Sequence, residues 1–153
     1  MTKKVQVEIL SWLITLLLVV LILLPVYQGY GDKYPFYTFN ILFIILFITF
    51  SRYIFLLRHA PFSHNKWVKG ILFFACIPLL LIMTEGLYDF QRFLDEIGLQ
   101  ELSENPISAS ASNIAKYTRY QYIFFASGTL ITLVLFPLRM VISVWRQYNK
   151  GTV

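Results

Sequence analysis

The stretch ILSWLITLLLVVLILLPVY, residues 9–27, decides the fold of this chain. Ser11 and Thr15 are the only hydroxyl side chains that interrupt its apolar run before the closing tyrosine. Because a helix needs about 20 residues to cross the hydrocarbon core of a bilayer, the stretch predicts a transmembrane helix. Lys3 and Lys4 precede it, as in a signal peptide, but no small-residue cleavage site follows, so we expect the helix to be retained.

Three further apolar stretches of similar length follow at residues 36–57, 67–84 and 122–145. Lipid offers no hydrogen-bond partners to the backbone, so such stretches cross a membrane as helices. The whole chain is 58% hydrophobic and 14% charged, whereas soluble domains carry about 25% charged residues. The sequence therefore predicts an all-α integral membrane protein, one domain over residues 1–153, with four transmembrane helices.

The charges of the connecting segments predict the orientation. Basic residues cluster at one side of the predicted spans: Lys3, Lys4, Arg52, Arg58, Lys66, Lys69, Arg146 and Lys150. Acidic residues gather in the segment 85–119, which contains Glu85, Asp89, Asp95, Glu96, Glu101 and Glu104. Because cytoplasmic loops carry the excess of Lys and Arg, we expect both termini in the cytoplasm and the segment 85–119 outside. Short loops and the lack of a targeting peptide favour the bacterial cytoplasmic membrane.

Aromatic residues gather near the predicted ends of the spans, where amphipathic rings favour the lipid headgroups. We expect an outer belt that contains Tyr27, Tyr30, Tyr34, Tyr37, Tyr117, Tyr120 and Tyr122. The inner belt is expected to contain Trp67, Trp145 and Tyr148.

An amphipathic helix is predicted outside the membrane, extending from or following the third span. Leu87, Phe90, Leu94 and Ile97 recur at steps of three and four residues and form one apolar stripe. The stripe must be covered by the outer membrane surface, by the protein itself or by a partner, and its acidic surroundings disfavour adhesion to anionic lipid. It is our candidate outside partner-docking face. The helix either continues or bends at Gly86, and residues 103–113 are predicted to form a loop.

Four arginines are candidate contacts for an anionic lipid or a partner's carboxylates: Arg52, Arg58, Arg139 and Arg146. Arg52 and Arg139 lie near the inner ends of the second and fourth spans. The alternative is that each long side chain only snorkels to the headgroups.

The sequence predicts no catalytic residue, no cofactor site and no metal site. His59 and His64 lack a nearby Cys or carboxylate and form an incomplete zinc site. The chain lacks a phosphate-binding loop and the common hydrolase motifs. The single cysteine, Cys76, excludes an intramolecular disulfide. A nucleic-acid partner is not indicated, because the basic residues flank apolar stretches. No small-molecule substrate can be identified from the sequence.

These observations favour a non-catalytic accessory or structural subunit of a larger membrane protein complex. Its partners would be membrane lipids and other integral membrane proteins. The alternative is a homo-oligomeric channel or small-solute carrier, which requires a polar stripe along one span. A membrane enzyme that acts on lipid is a third hypothesis, and it requires paired polar groups at one depth.

Overall fold

A computed structural model describes residues 3–56, 65–103 and 108–149 of the chain. It contains helices α1 (Lys3–Tyr30), α2 (Tyr37–Leu56), α3 (Lys66–Glu96) and α4 (Ala109–Tyr148). Short 3₁₀ turns, Gly31–Lys33 and Leu99–Leu102, follow α1 and α3. All regular structure in these three ranges is helical, and each of the four helices is long and apolar enough to cross a membrane. The predicted all-α class and the four predicted spans are confirmed at this level.

The starts of the last two helices are fixed by side-chain caps. The Asn65 carboxamide oxygen accepts from the backbone N–H groups of Trp67 and Val68 and begins α3. The Ser108 hydroxyl accepts from the N–H of Ala111 and begins α4. Such caps satisfy N–H groups that have no partner within the helix. The predicted loop over residues 103–113 is therefore wrong for residues 109–113, because its serines include the cap of a helix.

Contacts between helices give their relative directions. Glu8 of α1 pairs with Arg52 of α2, while Tyr27 and Tyr37 meet at the opposite ends of these helices. The hydroxyl of Tyr122 in α4 donates to the carbonyl of Gly86 in α3. At the other end of these two helices, Lys69 Nζ donates to the Ser143 hydroxyl oxygen. Helices α1 and α2 are therefore antiparallel, as are α3 and α4, and α4 packs against each of the other three helices.

Two ends of the bundle follow from these directions. The basic end contains the first turns of α1 and α3 and the last turns of α2 and α4, with Arg52, Lys69, Arg139 and Arg146. The acidic end contains the two 3₁₀ turns, the last turns of α1 and α3 and the first turns of α2 and α4.

Helix α3 continues through Gly86 as an unbroken α-helix, so of the two predicted alternatives the bend is wrong. Glycine serves close packing there, because a Cβ on Gly86 would collide with the ring of Phe39. Gly128 of α4 has the same role, since a Cβ would lie 2.7 Å from the ring of Phe47. Nearby, the Thr129 hydroxyl donates to the Phe43 carbonyl at 2.8 Å and ties α4 to α2.

The predicted aromatic belts are only partly present. Trp67, Trp145 and Tyr27 are exposed, as a headgroup-level ring requires. Tyr30 and Tyr34, however, are buried. So is Tyr122, whose ring fills the junction of α2, α3 and α4. The belt assignment is wrong for these three because the protein covers their rings itself.

Candidate functional site

The first predicted arginine, Arg52, is held inside the protein by an ion pair. Its guanidinium lies 2.6 Å from the Glu8 carboxylate, and the two side chains are only 18% and 19% exposed. The Tyr53 hydroxyl donates to the same carboxylate oxygen at 2.5 Å, and the Arg52 guanidinium lies 4.7 Å from the centre of the Tyr53 ring. The Arg52 side chain is therefore paired with α1 through Glu8, an acidic residue that the sequence analysis did not single out.

Arg139, another of the predicted arginines, has a different partner. Arg139 of α4 donates through Nε to the carbonyl of Ile54 at 3.2 Å. That carbonyl belongs to the last turn of α2, where carbonyl groups lack helical partners. Arg146 is exposed on α4, and Arg58 lies outside the described residues. Arg52, in α2, thus binds a carboxylate of α1, whereas Arg139, in α4, binds a carbonyl of α2.

A buried cation that the sequence analysis missed lies at the same end of the bundle. Lys69, near the start of α3, is 1% exposed, and its Nζ donates to the Ser143 hydroxyl oxygen of α4 at 2.9 Å. The sequence analysis counted Lys69 among the charges of a loop. The sequence signal for the burial of Lys69 was its spacing. Lys69, Cys76, Met83 and Phe90 recur every seven residues and so lie on one face of α3, and all four are buried.

Beside Lys69, α3 and α4 form a shallow apolar groove of about 360 Å³. Its lining comprises Lys69, Gly70, Phe73, Met140, Val144 and Trp145, among others. We call it the Lys69 groove. An apolar groove with a lysine in its lining suits an amphiphile better than a fully polar solute.

The predicted outside stripe is covered largely by the protein itself. Phe90 is fully buried, and its ring stacks on Tyr122 with centroids 3.8 Å apart. Leu87 and Leu94 are half-buried against the core, whereas Ile97 is 56% exposed. Of the three coverings considered, the structure contains packing within the chain, and Phe90 is not accessible to a partner.

A polar cluster lies buried at the acidic end, between α1, α2 and α4. It contains Tyr30, Tyr34, Asn40, Thr118 and Gln121, all buried. Asn40 donates through Nδ2 to the Tyr34 hydroxyl at 3.5 Å. Within the described part of the chain, Asn40 Oδ1 and both amide atoms of Gln121 have no hydrogen-bond partner. Burial raises the pKa of the Tyr34 hydroxyl, which therefore stays protonated and neutral.

A wider polar cleft of about 650 Å³ opens above this cluster. It lies between the turn after α1 and the start of α4, and its lining includes Tyr30, Asp32, Lys33, Ser108 and Ser110. Tyr30 thus borders both the cleft and the buried cluster. Neutral donors and acceptors next to aromatic rings are suited to binding small polar molecules.

Reactive groups are few in the described ranges. Cys76 is a buried thiol on α3. Over residues 3–56, 65–103 and 108–149, no three His, Cys, Asp or Glu side chains lie together as metal ligands would. His59 and His64 lie outside those ranges. Comparison of the chain with protein-family models, with curated proteins and with solved structures finds no match.

Proposed function

We propose that the protein is a non-catalytic accessory or structural subunit of a larger membrane protein complex. The observation that carries this proposal is the length and pairing of its last two helices. At 31 and 40 residues, α3 and α4 extend about 46 and 60 Å at 1.5 Å per residue, and about 30 Å suffices to cross the hydrocarbon core. The excess falls at the acidic end, because the apolar stretches end near Met83 and begin near Tyr122.

The extensions of α3 and α4 beyond their apolar stretches, residues 84–96 and 109–121, pack together at the acidic end, and we call this pair the two-helix stalk. Its base is held by the Phe90–Tyr122 stack and by the 2.9 Å hydrogen bond from Tyr122 to Gly86. Such packing favours a rigid mount for partner contacts over a flexible tether, because side chains at the junction are fully buried.

The outward face of the stalk on α3 is the surface that we assign to a partner. It presents Glu85, Tyr88, Asp89, Arg92 and Glu96, all exposed. Tyr88 gives this face an exposed aromatic side chain, a residue type that is enriched in partner interfaces. The acidic excess on this face suits a partner with basic residues. The exposed apolar faces of the spans are further surfaces for other integral membrane proteins.

The proposed orientation places the basic end in the cytoplasm and the stalk outside. The charge asymmetry supports it, since cytoplasmic segments carry the excess of Lys and Arg. The proposed location is the bacterial cytoplasmic membrane, with both termini on the cytoplasmic side.

The experiment that tests the subunit proposal is purification of the tagged protein from its native host in a mild detergent, followed by mass spectrometry. We expect stoichiometric recovery of other membrane proteins. The double variant Tyr88→Ser/Asp89→Asn should lose them, whereas Tyr120→Ser, exposed at the same end on α4, should keep them. Recovery of the chain alone, as a defined oligomer that survives dilution, would contradict the proposal.

The alternative, a homo-oligomeric channel or small-solute carrier, draws support from the polar cluster and the cleft at the acidic end. Unpaired buried polar atoms are costly, and a bound polar solute would satisfy them. In proteoliposomes, this alternative predicts solute flux that falls when Asn40→Leu and Gln121→Leu are introduced together. Equal flux in protein-free liposomes would exclude it.

A further inference from the structure

Lys69 has no ion-pair partner among the described residues. The side chain is 1% exposed, and within the described residues its hydrogen-bond partner is the neutral Ser143 hydroxyl. Buried charges in proteins are normally paired, because desolvating an unpaired ion is costly. An opposite charge from outside the chain would remove that cost.

The described residues include no spare side-chain carboxylate for this role. Of the chain's eight acidic residues, Glu8 alone lies at the basic end, and it already binds Arg52 and Tyr53. Six others lie in the described acidic end, and Glu104 lies outside the described residues. Glu85, the nearest of them along α3, is 16 residues from Lys69, or about 24 Å at the helical rise.

The groove next to Lys69 has the shape and lining for a hydrocarbon chain. Phe73, Met140 and Val144 form apolar walls, and no atom lies within 4 Å of where a Gly70 Cβ would project. Trp145, on the rim, is 62% exposed, and Trp rings favour the level of the lipid headgroups. The groove therefore opens to the membrane at the depth where headgroup and acyl chain meet.

We propose that the Lys69 groove binds an anionic phospholipid from the leaflet at the basic end, with an acyl chain along the apolar walls and the phosphate beside Lys69 and Ser143. Basic pockets between transmembrane helices are known sites for anionic headgroups. A zwitterionic lipid fits less well, because the phosphate is already balanced by its own ammonium. The proposal concerns a lipid site and does not depend on the subunit function.

Ser143 gives the phosphate a second partner. Its oxygen accepts from Lys69 Nζ, and its own proton has no acceptor among the described hydrogen bonds. A phosphate oxygen at the groove edge would accept that proton, while the ammonium behind it supplies the charge. Charge-assisted hydrogen bonds of this kind are stronger than neutral ones.

The test uses the delipidated full-length protein in detergent micelles doped with phosphatidylglycerol or with phosphatidylcholine of the same chains. Thermal unfolding and native mass spectrometry report binding. We expect phosphatidylglycerol to raise the melting temperature of the wild type and to remain bound. Phosphatidylcholine and inorganic phosphate should do neither, and a response to phosphate equal to that of the lipid would overturn the proposal.

The decisive variants are Lys69→Met and its matched control Lys116→Met, which removes one exposed charge at the acidic end and leaves the same net charge. Lys69→Met should weaken phosphatidylglycerol binding about fivefold to tenfold, from the usual contribution of one cation near an anionic surface. Lys116→Met and Lys69→Arg should retain the binding. Lys69→Met should also be at least as stable as the wild type in phosphatidylcholine, because it removes an unneutralised charge. An unchanged phosphatidylglycerol response in Lys69→Met would overturn the proposal.

Discussion

The Glu8 carboxylate lies 2.6 Å from the Arg52 guanidinium and so ties the first turns of α1 to the last turns of α2. The Tyr53 hydroxyl binds the same oxygen. Both charged groups are mostly removed from water, and each is the partner that makes the burial of the other tolerable. This ion pair therefore explains why an acidic residue, Glu8, lies at the basic end of the bundle.

Breaking this pair should destabilise the bundle. For Glu8→Gln we expect a loss of about 1–3 kcal/mol in the free energy of unfolding, between the values for surface and fully buried ion pairs. Adding Arg52→Met should cost less than the sum of the two single changes, because no charge is then left unpaired. Denaturation in mixed micelles measures both. Arg92→Gln, which breaks the exposed Arg92–Glu96 pair, is the control and should change nothing measurable.

Removing the Tyr122 hydroxyl should loosen the junction of α3 and α4 by a small amount. Tyr122→Phe loses the bond to the Gly86 carbonyl and should cost about 1 kcal/mol. Tyr122→Ala also loses the ring contacts with Phe36 and Phe90 and should cost about 3–5 kcal/mol. Equal unfolding free energies for the two variants would show that the ring packing contributes nothing.

Adding one methyl group at Gly128 should disturb the contact between α2 and α4. Gly128→Ala brings a Cβ to 2.7 Å from the Phe47 ring, and overpacking of this kind costs about 1–3 kcal/mol. Ser127→Ala changes the adjacent, exposed position and should be nearly neutral. If Gly128→Ala raised the melting temperature, the tight approach of the two helices would be contradicted.

Cysteine labelling should report the proposed orientation. In a Cys76→Ala background, Glu101→Cys at the acidic end should react with a membrane-impermeant maleimide on intact cells. Val5→Cys, at the basic end, should react only after permeabilisation. The reverse labelling pattern would show that the orientation is opposite to the proposed one. Labelling of both cysteine variants on intact cells would rule out a cytoplasmic basic end.

Helix number and approximate helix position were predictable, because a long apolar stretch crosses a membrane as an α-helix. The first and last residues of α3 and α4 were less predictable. The sequence analysis ended the third apolar stretch at residue 84 and predicted a further helix that either continues it or bends at Gly86, and the structure contains one continuous helix to Glu96. Serines near residue 108 resemble a loop, although one of them is a helix cap.

Side-chain partners were harder to predict than helices. A lysine near a span end favours snorkelling by itself, and only packing against α4 determines that Lys69 turns inward to Ser143. Tyr30 and Tyr34 likewise carry amphipathic rings that suit a headgroup belt. Their burial depends on contacts with α4, which lies about 80 residues later in the sequence.

The place of α4 in the bundle has a consequence for biogenesis. It packs against all three other helices, yet a ribosome makes it last among them. Until α4 is inserted, Lys69 of α3 lacks its hydrogen-bond partner Ser143. The face of α3 that carries Lys69 is therefore completed only when α4 is in place.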